Sequence, residues 1–279
     1  QLFFLLSAAG ILIYPKRADW LERFFLFLKT ANQGWKGIAV LMLAYSLLFL
    51  WNQVTAYWSV QINFLPFSFY DYMLHYFWLG KINYTHLLHD FYHVNNILYL
   101  LAPLWLLIKS PLLLVVFHGP LLALAALPLF LLTRRLFPES WIPMAVSFLY
   151  LNCRYLLNLL EMDFLVESFY PLLIFASCYF LAAGRRIAFW ISVLLVLLVK
   201  EDAPVYMFGF GVFILFLKDR KSYGVGAISL TFIYWLFISQ VFLPMTGNQI
   251  LASSSENFKQ AGSTPSAILQ FYITHPWIA

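Results

Sequence analysis

Carboxylates, histidines and a lysine gather in three separate parts of a chain in which only 10% of the residues are charged. The first part is the aromatic stretch 59–93, which contains Asp71, Asp90 and four histidines. The second part reads "LLEMDFLVES" and the third reads "LLVKEDAPVY". These two stretches contribute Glu161, Asp163, Glu167, Lys200, Glu201 and Asp202. Side chains of these types suit general base catalysis, metal binding or recognition of an anionic head group.

The triplet Lys200, Glu201 and Asp202 directly follows a run of aliphatic residues. A charge at the centre of a bilayer costs about 2.5–3.5 kcal/mol on insertion scales. Three consecutive charges therefore lie outside the hydrocarbon, or they have a task that offsets the cost. Arg154 raises the same question because it lies inside the apolar segment 141–160, toward its outer end. Its partner there is a carboxylate or, in a functional interpretation, a lipid phosphate.

Each of these residues also has a purely structural explanation. Asp71 is equally compatible with a solvated position on an interfacial helix, and the charged triplet with an ordinary outer loop. The four histidines between residues 75 and 93 match no standard zinc spacing, and they also suit a membrane interface. We therefore predict no resident cofactor and no metal ligands, while binding of a divalent metal stays an alternative.

The composition places the chain in a bilayer. Hydrophobic residues make up 63% of it, compared with about 45–50% in soluble domains. The net charge of +5 comes from short basic clusters between apolar runs, which is typical of the positive-inside rule, so a nucleic-acid partner is excluded. We predict an integral membrane protein with a single transmembrane domain over residues 1–279, and we expect it to be part of a longer protein.

The apolar segments predict an all-α, polytopic transmembrane helix bundle. They lie at about 1–14, 37–58, 94–108, 111–132, 141–160, 168–183, 187–204, 205–217 and 224–244. The basic clusters between them predict the cytoplasmic loops. These clusters are Lys16/Arg17 through Lys36, Arg134/Arg135, Arg185/Arg186 and Lys218/Arg220/Lys221.

The cytoplasmic loops share one side only if segment 94–108 does not cross the membrane. That segment has 15 residues and contains Pro103, whereas a perpendicular span needs about 20 residues. We therefore interpret it as a helix in the outer interface. The outer face then receives loop 59–110, the 159–167 turn, the 200–204 break and an amphipathic segment, 245–279.

The stretches "SFYDYMLH", "HDFYHVNNILYLLAPLWLLI", "LLTRRLF", "EMDFLVESFYPLL" and "LLVLLVKEDAPVY" carry a family resemblance. Together they are similar to a bacterial family of polytopic membrane proteins of unknown function, which is grouped with the GT-C glycosyltransferases. The resemblance runs from about residue 60 to residue 245. It implies interfacial helices in the first extracytoplasmic loop, polyprenyl-phosphate sugars as donors, and a loop carboxylate that acts as base or orients the acceptor.

The same resemblance assigns roles to individual positions. Asp71, within Tyr70-Asp71-Tyr72, matches the loop carboxylate of a Phe-Asp-Gln-like motif. His93 matches the histidine that opens the next helix, and Glu167 matches the acid of an Asp-Phe-His-Pro-Glu-like motif. Lys200, Glu201 and Asp202 match a Lys-Glu-Asp motif.

The leading hypothesis is therefore a GT-C-like glycosyltransferase at the outer face of the bacterial cytoplasmic membrane. In it Asp71 is the catalytic residue, and Lys200 and Arg154 contact the leaving phosphate. The other substrate-binding residues are His93, Glu167, Glu201 and Asp202. The expected partners are a polyprenyl-phosphate sugar donor, membrane lipids and protein subunits of a larger complex.

Two other classes of function compete with this hypothesis. The first is a catalytically inactive GT-C-like subunit or scaffold, because Leu165-Val166 replace the family's His-Pro before Glu167. The second is a transporter that uses intramembrane ionisable residues. The transporter is disfavoured because the polar residues lie on one face and the sequence contains no evident inverted repeat.

Overall fold

The computed structural model describes most of the chain between residues 35 and 242. The described residues are 26, 35–61, 70–75, 95–138, 140–161, 164–242, 270–271 and 274. Within these ranges every regular element is helical and there is no strand. The prediction of an all-α fold is confirmed.

Ten α-helices of seven residues or more follow one another through the described ranges. They are α1 (Trp35–Trp58), α2 (Ala102–Ile108), α3 (Leu112–Leu124), α4 (Ala126–Leu136), α5 (Ile142–Leu151), α6 (Arg154–Glu161), α7 (Phe169–Ala183), α8 (Arg186–Leu197), α9 (Ala203–Leu215) and α10 (Lys221–Phe237). A short helical segment covers 70–75, and 3₁₀ turns at Asn96–Leu101 and Val166–Ser168 lead into α2 and α7. A π-helical turn, Ile238–Phe242, extends α10.

Among the described residues, four helical stretches are long and apolar enough to cross a membrane. They are Lys36–Trp58, Leu112–Leu136, Val166–Ala183 and Lys221–Val241. Shorter apolar helices cover Asn96–Ile108, Ile142–Leu151, Arg186–Leu197 and Ala203–Leu215. A span needs about 20 apolar residues, so the chain is a polytopic helical membrane protein.

Two apolar segments that we predicted to be continuous are interrupted, each by an identifiable residue. Segment 141–160 breaks at Asn152, whose side-chain amide donates to the Phe148 carbonyl at 2.8 Å and to the Tyr45 hydroxyl at 2.6 Å. An asparagine that bonds the preceding turn competes with the helical ladder. Segment 111–132 divides into α3 and α4 at Ala125, three residues before Pro128, which has no N–H to donate to the Leu124 carbonyl.

The helices cluster into two compact units, and each is described by itself. Unit 1 consists of Gln1–Ser68 and Ile108–Val196. In unit 1, α1 packs on α3, and α4 packs on α5 and α7. Its core includes Phe49, Leu122 and Phe130, which are fully buried or nearly so.

Unit 2 consists of Phe69–Leu107 and Leu197–Ala279. Its largest helix contact is between α9 and α10. The backbone N–H of Ile97 donates to the Leu198 carbonyl at 2.7 Å, which attaches the start of the 96–108 helix to the turn before α9. Unit 2 therefore contains both the helical segment 70–75 and the Lys-Glu-Asp turn.

Candidate functional site

Asp71 lies on a short helical segment that buries one of its faces. Tyr70, Met73 and Leu74 of this segment are buried, whereas Asp71 is half-buried and His75 is exposed. Segment 70–75 is therefore amphipathic, and the predicted catalytic carboxylate lies beside its packed face.

The Asp71 carboxylate is held by a buried tryptophan. The indole Nε1–H of Trp105 donates to Asp71 Oδ1 at 2.8 Å. Trp105 is only 5% exposed, and a buried indole N–H requires an acceptor. The His75 ring also packs edge-on against the indole, with 5.3 Å between ring centroids. One carboxylate oxygen is thus fixed by the protein, and the second is oriented with it.

The Lys-Glu-Asp triplet forms a packed turn between α8 and α9. The Lys200 carbonyl accepts the N–H of Ala203 at 3.1 Å, and the Asp202 carbonyl accepts the N–H of Val205 at 2.9 Å. All three charged side chains are half-buried. Pro204 lies in the first turn of α9, where its missing N–H would have had no partner in the helix.

The 96–108 helix connects this turn to Asp71. Its first residues bond Leu198, and its Trp105 bonds Asp71. Trp105 lies about 14 Å along the helix from Ile97, given the rise of a 3₁₀ and an α segment. Four of the predicted site residues therefore lie in unit 2: Asp71, Lys200, Glu201 and Asp202. Asp71 is attached near the C-terminal end of the 96–108 helix, and the Lys-Glu-Asp turn is attached near its N-terminal end.

Arg154 and Glu167 belong to unit 1. Arg154 is the first residue of α6, directly after the break at Asn152, and its side chain is exposed. Glu167 is half-buried in the 3₁₀ turn that precedes α7. Grouping of these two residues with Asp71 and Lys200 around one cavity stays a prediction.

Several predicted residues lie outside the described part of the chain. They are His93, with its neighbours His86, His89 and Asp90, and Asp163. The same holds for most of the amphipathic segment 245–279. Among the described residues, no three of the types His, Cys, Asp and Glu group closely enough to hold a metal ion. The expected absence of a metal and the alternative of a divalent ion both stay predictions.

Sequence reasoning missed a buried histidine in unit 1. His118 is fully buried in α3, its Nε2 lies 2.8 Å from the Ser168 Oγ, and its ring packs edge-on against Phe164. An ionisable residue within a membrane-spanning helix is a candidate functional residue by default, and this signal was present in "FHGP". The contact places His118 beside the turn that carries Glu167.

The sequence comparisons identify the family of the chain. A family model described as "Predicted membrane protein (DUF2079)" matches residues 56–279, which is most of the chain. The matched part includes Asp71, the turn with Glu167 and the Lys-Glu-Asp turn. Searches of curated proteins and of solved structures gave no match. The chain therefore belongs to the DUF2079 family of membrane proteins.

Proposed function

We propose that this membrane protein is a GT-C-like glycosyltransferase that uses a polyprenyl-phosphate-linked sugar at the outer face of the bacterial cytoplasmic membrane. The observation that carries the proposal is the carboxylate of Asp71, which a buried indole N–H holds at 2.8 Å. A general base must be oriented toward the proton that it removes, and a fixed carboxylate on a half-exposed helix meets this requirement.

The proposed reaction is a displacement at the anomeric carbon of the donor sugar. The acceptor hydroxyl oxygen forms the new bond to that carbon, and its proton passes to Asp71. The bond between the anomeric carbon and the phosphate oxygen breaks, and polyprenyl phosphate leaves with the bonding electrons. Trp105 is a positioning residue in this scheme, because it acts through Asp71.

The leaving phosphate needs a cation close to its developing charge. Lys200 is the first candidate, since it lies in the same unit as Asp71 and its side chain is half-buried. Preorganised positive charge at such a position is usually a large catalytic term. Arg154, on unit 1, is the second candidate. In this proposal the sugar hydroxyls form hydrogen bonds with His93, Glu167, Glu201 and Asp202.

The proposal is tested by substitution of Asp71 in protein reconstituted into liposomes. A panel of radiolabelled polyprenyl-phosphate hexoses and pentoses is offered with membrane extract as acceptor. Asp71→Asn keeps an oxygen acceptor for Trp105 but removes the base, so transfer should fall at least about 100-fold. Trp105→Phe keeps the ring but removes the donor, and we expect about a tenfold loss in kcat.

The matched control is Asp219→Asn, which changes an exposed aspartate between Lys218 and Arg220 and should leave transfer unchanged. Retention of full transfer by Asp71→Asn would remove Asp71 from the role of base. Absence of transfer in the unaltered protein with every donor, together with a stoichiometric partner on purification, would favour the inactive subunit instead.

A further inference from the structure

Unit 2 contains three polar side chains whose buried oxygen or nitrogen atoms form no hydrogen bond with any described residue. They are the Asn95 amide, at both its oxygen and its nitrogen, the Thr231 hydroxyl and the Tyr234 hydroxyl. Asn95 is 2% exposed and Thr231 is 3% exposed. Buried polar groups in native proteins almost always have a partner, so each of these groups requires an explanation.

The three side chains belong to one region of unit 2. Asn95 directly precedes Asn96, whose side chain approaches the Tyr234 hydroxyl without reaching hydrogen-bond geometry. Thr231 lies three residues before Tyr234, on the same face of α10. The Ile97 N–H donates to the Leu198 carbonyl at 2.7 Å and Glu201 lies near the Tyr234 hydroxyl, so the region adjoins the Lys-Glu-Asp turn.

The region lies toward the end of α10 that the charge pattern assigns to the outer face. Tyr234 is about 20 Å along the helix from Lys221, where the basic cluster of the preceding loop ends. The polar groups are therefore remote from the predicted cytoplasmic end. They are close to the turn that our proposed function places at the donor phosphate.

The chemistry of these groups selects a neutral ligand with many hydroxyls. An asparagine amide offers two N–H donors and a carbonyl acceptor, and each hydroxyl both donates and accepts. Sugar hydroxyls present the same mixture of donors and acceptors. A phosphate would instead require cations, and the Glu201 carboxylate at the edge of the region opposes an anion.

We propose that Asn95, Asn96, Thr231 and Tyr234 form a buried subsite for the sugar ring of the donor, with Glu201 at its edge. The inference rests on the proposed function, because the sugar bound by these residues belongs to the proposed donor substrate. Neither the sequence motifs nor the family match gives these residues a role. The phosphate would then lie at the Lys200 turn and the sugar beneath it.

The subsite is tested by binding, so that its outcome is independent of transfer. The probes are a panel of methyl hexosides, added to the detergent-purified protein, and the readout is the shift in unfolding temperature as a function of sugar concentration. Thr231→Val and Tyr234→Phe remove only a hydroxyl. Each should weaken binding about tenfold, as expected for the loss of one hydrogen bond to a ligand, while the sugar-free protein unfolds at the same temperature or higher.

Tyr223→Phe is the matched control on the same helix. Tyr223 is half-buried and packs against the Arg220 guanidinium, 5.7 Å from its ring centroid, outside the proposed subsite. Its substitution should leave sugar binding unchanged. If Tyr223→Phe loses sugar affinity tenfold, as Tyr234→Phe is expected to, the loss in Tyr234→Phe is not specific to the subsite and the proposal is overturned.

The outcomes separate the two proposals. Absence of a sugar-induced shift in the unaltered protein, or equal binding by Thr231→Val, Tyr234→Phe and the parent, overturns the subsite. Sugar binding that is lost in these two variants, combined with no transfer by the parent protein, supports the subsite and overturns the transferase. Transfer by both variants with the kcat and the apparent KM of the parent supports the transferase and overturns the subsite.

Discussion

Close packing of α9 on α10 depends on glycine, and we expect Gly211→Ala to destabilise unit 2. A Cβ atom at position 211 would lie 2.7 Å from the Ile228 Cγ1, 3.1 Å from the Ile228 backbone nitrogen and 3.2 Å from the Gly224 carbonyl oxygen. The last two atoms are backbone, so they move only if α10 moves. Small residues at helix contacts in membranes allow this approach, and a methyl group forces the helices apart.

Gly209 supplies a control that cancels the other effects of the substitution. It lies on the same helix, two residues away, and a Cβ there would meet no atom within 4 Å. Both variants gain the same helix propensity, about 1 kcal/mol for alanine over glycine in water. The difference between them is therefore the cost of overpacking, about 1–3 kcal/mol.

The measurement is the apparent Tm of each variant in one detergent at one scan rate, because irreversible unfolding makes Tm depend on scan rate. With about 2–4 °C per kcal/mol for a chain of this size class, Gly211→Ala should unfold about 2–12 °C below Gly209→Ala. Equal Tm values for the two variants would refute the argument from close packing. Gly224→Ala should lower Tm as well, since its Cβ would lie 2.9 Å from the Gly211 carbonyl oxygen.

Two further predictions concern polar contacts inside unit 1. Gln53 is buried, and its side-chain amide donates to the Leu160 carbonyl near the end of α6. Gln53→Leu leaves that carbonyl unpaired, so it should lower the free energy of unfolding by about 1–3 kcal/mol, which is measured as a lower Tm. Ser168→Ala removes the hydroxyl that bonds His118 and should cost about 0.6–1.7 kcal/mol by the same measurement. Ser59→Ala removes only an exposed hydroxyl that bonds its own helix, and a loss as large in this variant would contradict both expectations.

The long membrane spans were predictable because composition and length alone specify them. Segments 37–58, 168–183 and 224–244 correspond to the stretches Lys36–Trp58, Val166–Ala183 and Lys221–Val241. Each is a run of apolar residues that ends at a charged or polar turn, and a bilayer leaves such a run only the helical conformation. The interruption at Asn152 was not predictable in this way, since it depends on a hydrogen bond to Tyr45 of another helix.

The same distinction applies to the candidate site. The sequence marked Asp71 and the Lys-Glu-Asp turn because charges are rare in an apolar chain, and the turn indeed separates two helices. It assigned no role to Trp105, whose contact with Asp71 spans 34 positions, or to Thr231, which resembles any other small residue in a helix. Neutral polar residues acquire significance only when their burial and their partners are known.

Buried polar side chains on the packed helices differ in whether they join one helix to another. Helices in a bilayer gain little from the hydrophobic effect, so small residues and interhelical hydrogen bonds hold them together. In unit 1, polar side chains serve this purpose, as in the 3.0 Å hydrogen bond between Ser177 of α7 and Ser192 of α8. In unit 2, the close contact of α9 and α10 at Gly211 provides the packing, and Thr231 of α10 is not used to join the helices. Gly211→Ala should therefore lower stability, whereas Thr231→Val should lower sugar binding without lowering stability.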